Sequence, residues 1–267
     1  MSENNVFSSM MGIIIAVTAV LVLIILIFPI HALLLDILLV SNLLFALLIF
    51  ITAIRTKKAT DFLSCPTMFL LSIIFGLAVN ITATRLILTK GTSFDGRLIS
   101  FLSSLLTKLD SRNLIIILAV FVILMIVQII IVARGTVRIS EVAARFTMDS
   151  LPGKQMAIDT EYSSGVITEK ESITKKNKIH KEVDFYGAMN GACKFLSGNE
   201  KVKLVILLAS TIGGFFIGTR LRDETINDAL KTYISLSIST GFFFMIQTLL
   251  LSFAVWFTIG RTPKDSP

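Results

Sequence analysis

The sequence has few of the residues that usually carry chemistry. It holds 2 cysteines and 2 histidines in 267 residues. Cys65 and Cys193 are too few for a disulfide framework and read as free thiols in a reducing compartment. His31 and His180 lie in separate regions, so no metal site is expected. No Ser–His–Asp or Cys–His arrangement follows from the spacing. Gly153-Lys154-Gln155 lacks the upstream glycines and the final Ser or Thr of a phosphate loop and reads as a hydrophilic turn. Neither an enzyme nor a bound cofactor is expected. The alternating pattern of a membrane β-barrel is also missing.

Apolar sequence is abundant. Hydrophobic residues make up 54% of the chain, charged residues 16%, and the mean hydropathy is +0.83. A soluble domain of this composition would expose too much apolar surface. A spanning helix needs about 20 mostly apolar residues. Six runs fit or nearly fit: Met11–Phe28, Leu33–Ile54, Thr67–Leu88, Leu114–Ala133, Leu204–Thr219 and Ser235–Ile259. Backbone groups in hydrocarbon must be satisfied internally, so these runs are read as helices. The first is read as a retained span and not a signal peptide, because no Lys or Arg precedes it. Pro29 and His31 also stand where a cleavage site would lie, so a tight turn into the second span is expected.

Lys and Arg gather in segments 55–66, 134–203 and 260–267. By the positive-inside rule both termini are placed in the cytoplasm. The net charge of +7 is then explained by basic loops beside anionic lipid, and no nucleic-acid partner is expected. The fold class expected is an all-α membrane protein. Residues 1–133 carry four spans with an outer loop at 89–113, 134–203 form a small cytosolic subdomain, 204–260 carry two spans, and 261–267 form a cytosolic tail. In the outer loop Leu98, Phe101, Leu102, Leu105, Leu106 and Leu109 recur at helical spacing. That helix lies on the membrane face or packs against the spans; the pattern fits both.

In the inner loop, Ser140 is expected to cap a helix, and Leu151-Pro152-Gly153 to break it. A second helix is expected from near Thr168 towards Phe195, ending at a Ser197-Gly198-Asn199 turn. Arg138, Glu141, Arg145 and Asp149 fall near one helical face, where they can pair with one another or with a partner protein. Gly214 and Gly218 form a GxxxG pattern that suggests close helix packing. Asn42 and Asn80 are polar groups within spans. Asp36 and Arg85 are read as the intramembrane charges. Each lies near a span end, so it either snorkels to the interface or makes a polar contact inside the bundle.

Four segments, in order, carry a resemblance. They are Pro29 with the run holding Asp36 and Asn42, the stretch Asp61 to Leu88, the stretch Arg138 to Asp159 (RISEVAARFTMDSLPGKQMAID), and Asp184 to Asn199 (DFYGAMNGACKFLSGN). Together they resemble the FlhA/InvA/SctV (FHIPEP) family of flagellar and type III secretion export-gate proteins. The resemblance implies a bacterial inner-membrane protein in protein export, a homo-oligomer beside other export-gate membrane proteins, with export driven by the proton motive force. It marks Arg138, Glu141, Arg145, Asp149, Pro152, Gly153, Lys154 and Asp159 as the export signature. Membrane lipid is the remaining partner expected.

Departures from the family pattern are systematic. Asn190, Asn199 and Thr240 stand where the family has carboxylates, Gly76 where it has Arg, and Gln247 where it has Pro. Asn and Thr cannot take up and release a proton near neutral pH. The family also continues into further spans and a large cytosolic docking domain, whereas this sequence ends at Pro267. The expectation is a truncated membrane component of the export apparatus without proton-coupling carboxylates or substrate docking. A degenerate relic or non-transporting interaction protein is the alternative. An independent small transporter or channel is the third reading.

Overall fold

Apolar runs bounded by turn residues become long helices. The computed structural model describes residues 3–56, 64–109 and 114–260. Asp61 to Leu63, the loop residues 110–113 and the tail 261–267 fall outside the described residues. The helices are α1 (Glu3–Ile27), α2 (Ala32–Arg55), α3 (Cys65–Lys90), α4 (Arg97–Leu109), α5 (Leu114–Ile131), α6 (Val137–Ser163), α7 (Glu169–Leu221) and α8 (Ile226–Ile259). Among the described residues there is no strand. Five helical stretches are long and apolar enough to cross a membrane; in α1 the shorter stretch Ala16–Ile27 is apolar. The chain is an all-α membrane bundle.

The two largest apolar clusters among the described residues tie the spans together. One, towards the α6–α7 end, gathers Phe69, Ile73, Phe185, Met189, Leu196 and Leu251. The other, towards the α4 end, gathers Leu35, Val79, Ile87, Ile99, Tyr233 and Phe244. Helix α4 packs against the spans through the buried Ile99, while Phe101 and Leu105 stay exposed. Its start is held by Asp36, whose carboxylate accepts from the backbone N–H of Arg97 at 2.7 Å and of Leu98 at 3.3 Å. Free N–H groups at a helix start favour such an anion. The α1–α2 turn sits where Pro29 suggests, and His31 caps α2 by accepting from the Leu33 N–H at 3.3 Å.

Arg85 donates to the carbonyls of Leu26 at 3.0 Å and Ile27 at 3.3 Å, and to that of Phe28. Arg222 does the same for α3, donating to Leu88 O at 2.8 Å and to Thr89 O. Both guanidiniums neutralise the carbonyl ends of helices. Asp36 and Arg85 therefore make polar contacts inside the structure.

The polar unit 134–203 is a helical hairpin continuous with the spans, and three expectations for it are corrected. Ser140 does not start a helix. Span α5 runs through a π turn, Val132–Thr136, straight into α6. Ser140 sits inside α6, with its hydroxyl returned to Val137 O at 2.8 Å. Pro152 does not break the chain, for α6 runs through it. Proline forfeits one helical hydrogen bond there, and α6 gains a full-length partner in α7. Ser197-Gly198-Asn199 is not a turn, because α7 passes through it without interruption. Leu196, Asn199, Glu200 and Lys203 are all buried, so packing overrides the local turn preference. Helix α7 begins as expected, with a Thr168–Glu171 capping box. The bonds from Thr168 hold the Glu171 carboxyl below the usual carboxylate range.

Candidate functional site: a split signature and a buried ion pair

The signature residues divide between two faces of α6. Three of them join α6 to α7 in an antiparallel register. Glu141 pairs with Lys194 at 3.4 Å, Lys154 with Glu182 at 3.1 Å, and Asp159 with Lys176 at 2.5 Å. Glu161 and Lys175 continue the ladder at 2.6 Å. Each pair is partly exposed, so each alone contributes little; together they fix the register of the hairpin. Arg145 and Asp149 point the other way. They face each other at 3.9 Å one turn apart and are largely exposed. Phe146 and Met156 share that arc of the helix and are 71% and 70% exposed. Gly153 has open space where a side chain would stand. Arg138 is exposed near the start of α6, and Pro152 lies within the length of the helix.

The substituted carboxylate positions are not brought together as one cluster. Asn190 accepts from the Ser140 hydroxyl at 3.4 Å. Asn199 is buried with its side-chain oxygen unpartnered. Thr240 lines a small cavity that Asn80 and Lys203 also line. Asn42 accepts from the Gln247 amide at 3.0 Å.

Glu200 and Lys203 correct the reading that Asp36 and Arg85 are the intramembrane charges. Their side chains are 1% and 3% exposed and lie 2.8 Å apart. Lys203 also donates to Thr248 Oγ1 at 2.7 Å, and its ammonium stands 5.9 Å from the centre of the Phe244 ring. Thr248 donates to Glu200 Oε1 at 2.6 Å. Gln128 donates to Glu200 Oε2 at 3.3 Å and to Met245 O at 3.3 Å. Elements α5, α7 and α8 all contribute. A buried charge needs this degree of pairing, and ionisable groups among spanning helices mark functional sites by default. In the sequence the pair looks like the end of a solvated charged run. The signal available there was the i, i+3 spacing of opposite charges at the foot of a short span.

Among the described residues no group of three or more His, Cys, Asp or Glu side chains is placed to hold a metal. Cys65 and Cys193 are buried free thiols.

A family profile described as the FHIPEP family matches residues 22–266. The chain is 44% identical over 88% of its length to a flagellar biosynthesis protein FlhA of Borreliella burgdorferi, covering 34% of that protein. It is 41% identical over 93% of its length to the FlhA of Treponema pallidum, covering 35% of it. With the FlhA of Bacillus subtilis the identity is 34% over 93% of this chain and 36% of the relative. The chain thus spans about a third of the length of these curated relatives. No solved structure gives a significant match.

Proposed function

Because the chain belongs to the FHIPEP family, we propose that it is a membrane component of a flagellar or type III protein export apparatus. Its place is the bacterial inner membrane, with both termini and the α6–α7 hairpin on the cytoplasmic side. The Lys and Arg carried by the hairpin support that orientation, and the names of the relatives favour the flagellar branch. The spans pack at the export gate beside other export membrane proteins and further copies of the chain.

One observation carries the role of the signature. Its charged residues do two jobs: Glu141, Lys154 and Asp159 hold the hairpin, while Arg145 and Asp149, with Phe146 and Met156, form an outward face. Exposed apolar groups beside a charged pair suit a contact with another export component. Deleting the gene is expected to reduce motility or secretion. Arg145→Ala with Asp149→Ala is expected to reproduce that loss while the protein still accumulates in the membrane. A deletion strain that swims and secretes normally would sink the reading. It would favour a non-transporting relative, which the replaced carboxylates at Asn190, Asn199 and Thr240 already suggest.

A further inference from the structure

The turn between α1 and α2 carries donors that the fold leaves unused. A guanidinium has five N–H groups. Arg85 gives three of them to the carbonyls of Leu26, Ile27 and Phe28, and the rest meet no acceptor among the described residues. His31 accepts from the Leu33 N–H through Nδ1, which leaves its ring proton on Nε2. Lys90 pairs with Asp95 at 2.5 Å. All three side chains line one pocket of about 510 Å³, together with Pro29, Thr82 and Thr89. Arg85 and Lys90 against Asp95 leave it one positive charge in surplus. Asp36, nearby on α2, is held by the start of α4.

An apolar groove of about 590 Å³ begins at the same turn. Val17, Val20 and Ile24 of α1 form one wall, Leu34 and Leu38 of α2 the other, and Ile30 lines both the groove and the pocket. From Ala16 to Ile25 the α1 wall rises about 14 Å. Half the hydrocarbon core of a bilayer is about 15 Å, so the groove has the depth of one leaflet. Apolar surface alone is ordinary on a spanning helix. This groove differs in being concave and in having unused donors and a surplus cation at its head. Basic pockets between spanning helices take lipid head groups, and the planar fork of arginine suits phosphate oxygens.

We propose that the turn and groove bind one anionic phospholipid. Its phosphate lies against His31, Arg85 and Lys90, and an acyl chain lies between α1 and α2. Helix α1 packs on the bundle through Val22 and Ile25 against Ala78 of α3, and the lipid supplies a second contact on the α2 side. The site does not rest on the export role; only its place in the outer leaflet follows from the orientation proposed above.

Native mass spectrometry of the delipidated full chain in detergent tests it. The probes are dioleoyl phosphatidylglycerol, which carries a net negative charge, and dioleoyl phosphatidylcholine, which does not. The expected result is a one-to-one adduct with the glycerol lipid that survives activation stripping the choline lipid. His31→Asn keeps a helix-capping residue and, with Lys90→Gln, removes two donors and the surplus charge. Retention is expected to fall on the order of tenfold, as for the loss of one charge-assisted hydrogen bond. Leu34→Trp fills the groove from an exposed position and is expected to lower retention too. Asp95→Asn keeps every donor, removes the opposing carboxylate and is expected to raise retention, a gain that a misfolded chain would not show. Equal retention of the two lipids would overturn the proposal. Retention unmoved by all three variants would place the lipid elsewhere and overturn it as well. Displacement of the lipid by excess glycerol phosphate would overturn the part given to the groove.

Discussion

The Gln247 side chain lies over the backbone of Gly76. A Cβ at position 76 would come within 2.6 Å of both the nitrogen and the oxygen of the Gln247 amide. These are two of the positions where the resemblance implies another residue, Arg at 76 and Pro at 247. They lie far apart in sequence and touch in space. The amide takes the room the missing side chain leaves and donates to Asn42 Oδ1 and Ser72 O, each at 3.0 Å. Gly76 and the Gln247 amide are packed as one unit.

A coupled stability effect follows. Gly76→Ala is expected to destabilise the bundle by about 1–3 kcal/mol through overpacking. Gln247→Ala is expected to cost about 1–3 kcal/mol by leaving buried partners unsatisfied. The double variant is expected to cost less than the sum of the two. Thermal unfolding of the four proteins in one detergent gives the cycle; strict additivity would disprove the coupling.

The buried pair gives a sharper asymmetry. Removing one charge, by Glu200→Leu or Lys203→Met, is expected to cost about 3–5 kcal/mol, because the other stays buried alone. Replacing both together is expected to be close to neutral. A double variant as unstable as either single one would show that the network needs its charges for folding.

Much of the fold was legible in the sequence because spans follow from length and hydropathy, which do not depend on partners. The six apolar runs all lie within helices, five of them in stretches long and apolar enough to span, and the amphipathic α4 and the helix starting at Thr168 appear where the pattern puts them. Local stop signals misled, since Ser140, Pro152 and Gly198 mark breaks only where nothing else fixes the backbone. Here α6 and α7 pack along their length, and that packing outweighs one lost hydrogen bond. For the site, the sequence pointed to the outward residues Arg145 and Asp149. It hid Glu200 and Lys203, because the partners that bury them, Gln128 and Thr248, lie far away in the chain.

The Gly214–Gly218 pattern packs within the chain. Tyr233 fills the space above both glycines, and a Cβ at either would collide with its ring. The Tyr233 hydroxyl accepts from Arg222 at 2.5 Å, so the ring cannot easily swing away. Gly214→Leu is expected to destabilise the monomer, and Tyr233→Ala to relieve it in part. Gly218→Ala is expected to destabilise the monomer in the same way, and thermal unfolding in one detergent checks both; an unchanged midpoint would show that the ring yields.

Pro152 is expected to be a weak point of α6. Pro152→Ala restores a backbone N–H to bond the Met148 carbonyl and removes the ring clash, worth up to about 3 kcal/mol locally. Slower amide exchange in the segment 148–156 would verify it. Unchanged exchange would mean that the contacts of α7 already set the local stability.

The continuity of α7 has a mechanical consequence. Its 53 residues form one rod of about 80 Å, with Lys203 among the spans and Glu169 at the far end of the hairpin. Some 50 Å separate those two points at helical rise. A tilt of about ten degrees at the ion pair swings the hairpin tip through roughly 9 Å, and the ladder of ion pairs carries α6 with it. The hairpin is thus a lever arm whose fulcrum lies among the spans.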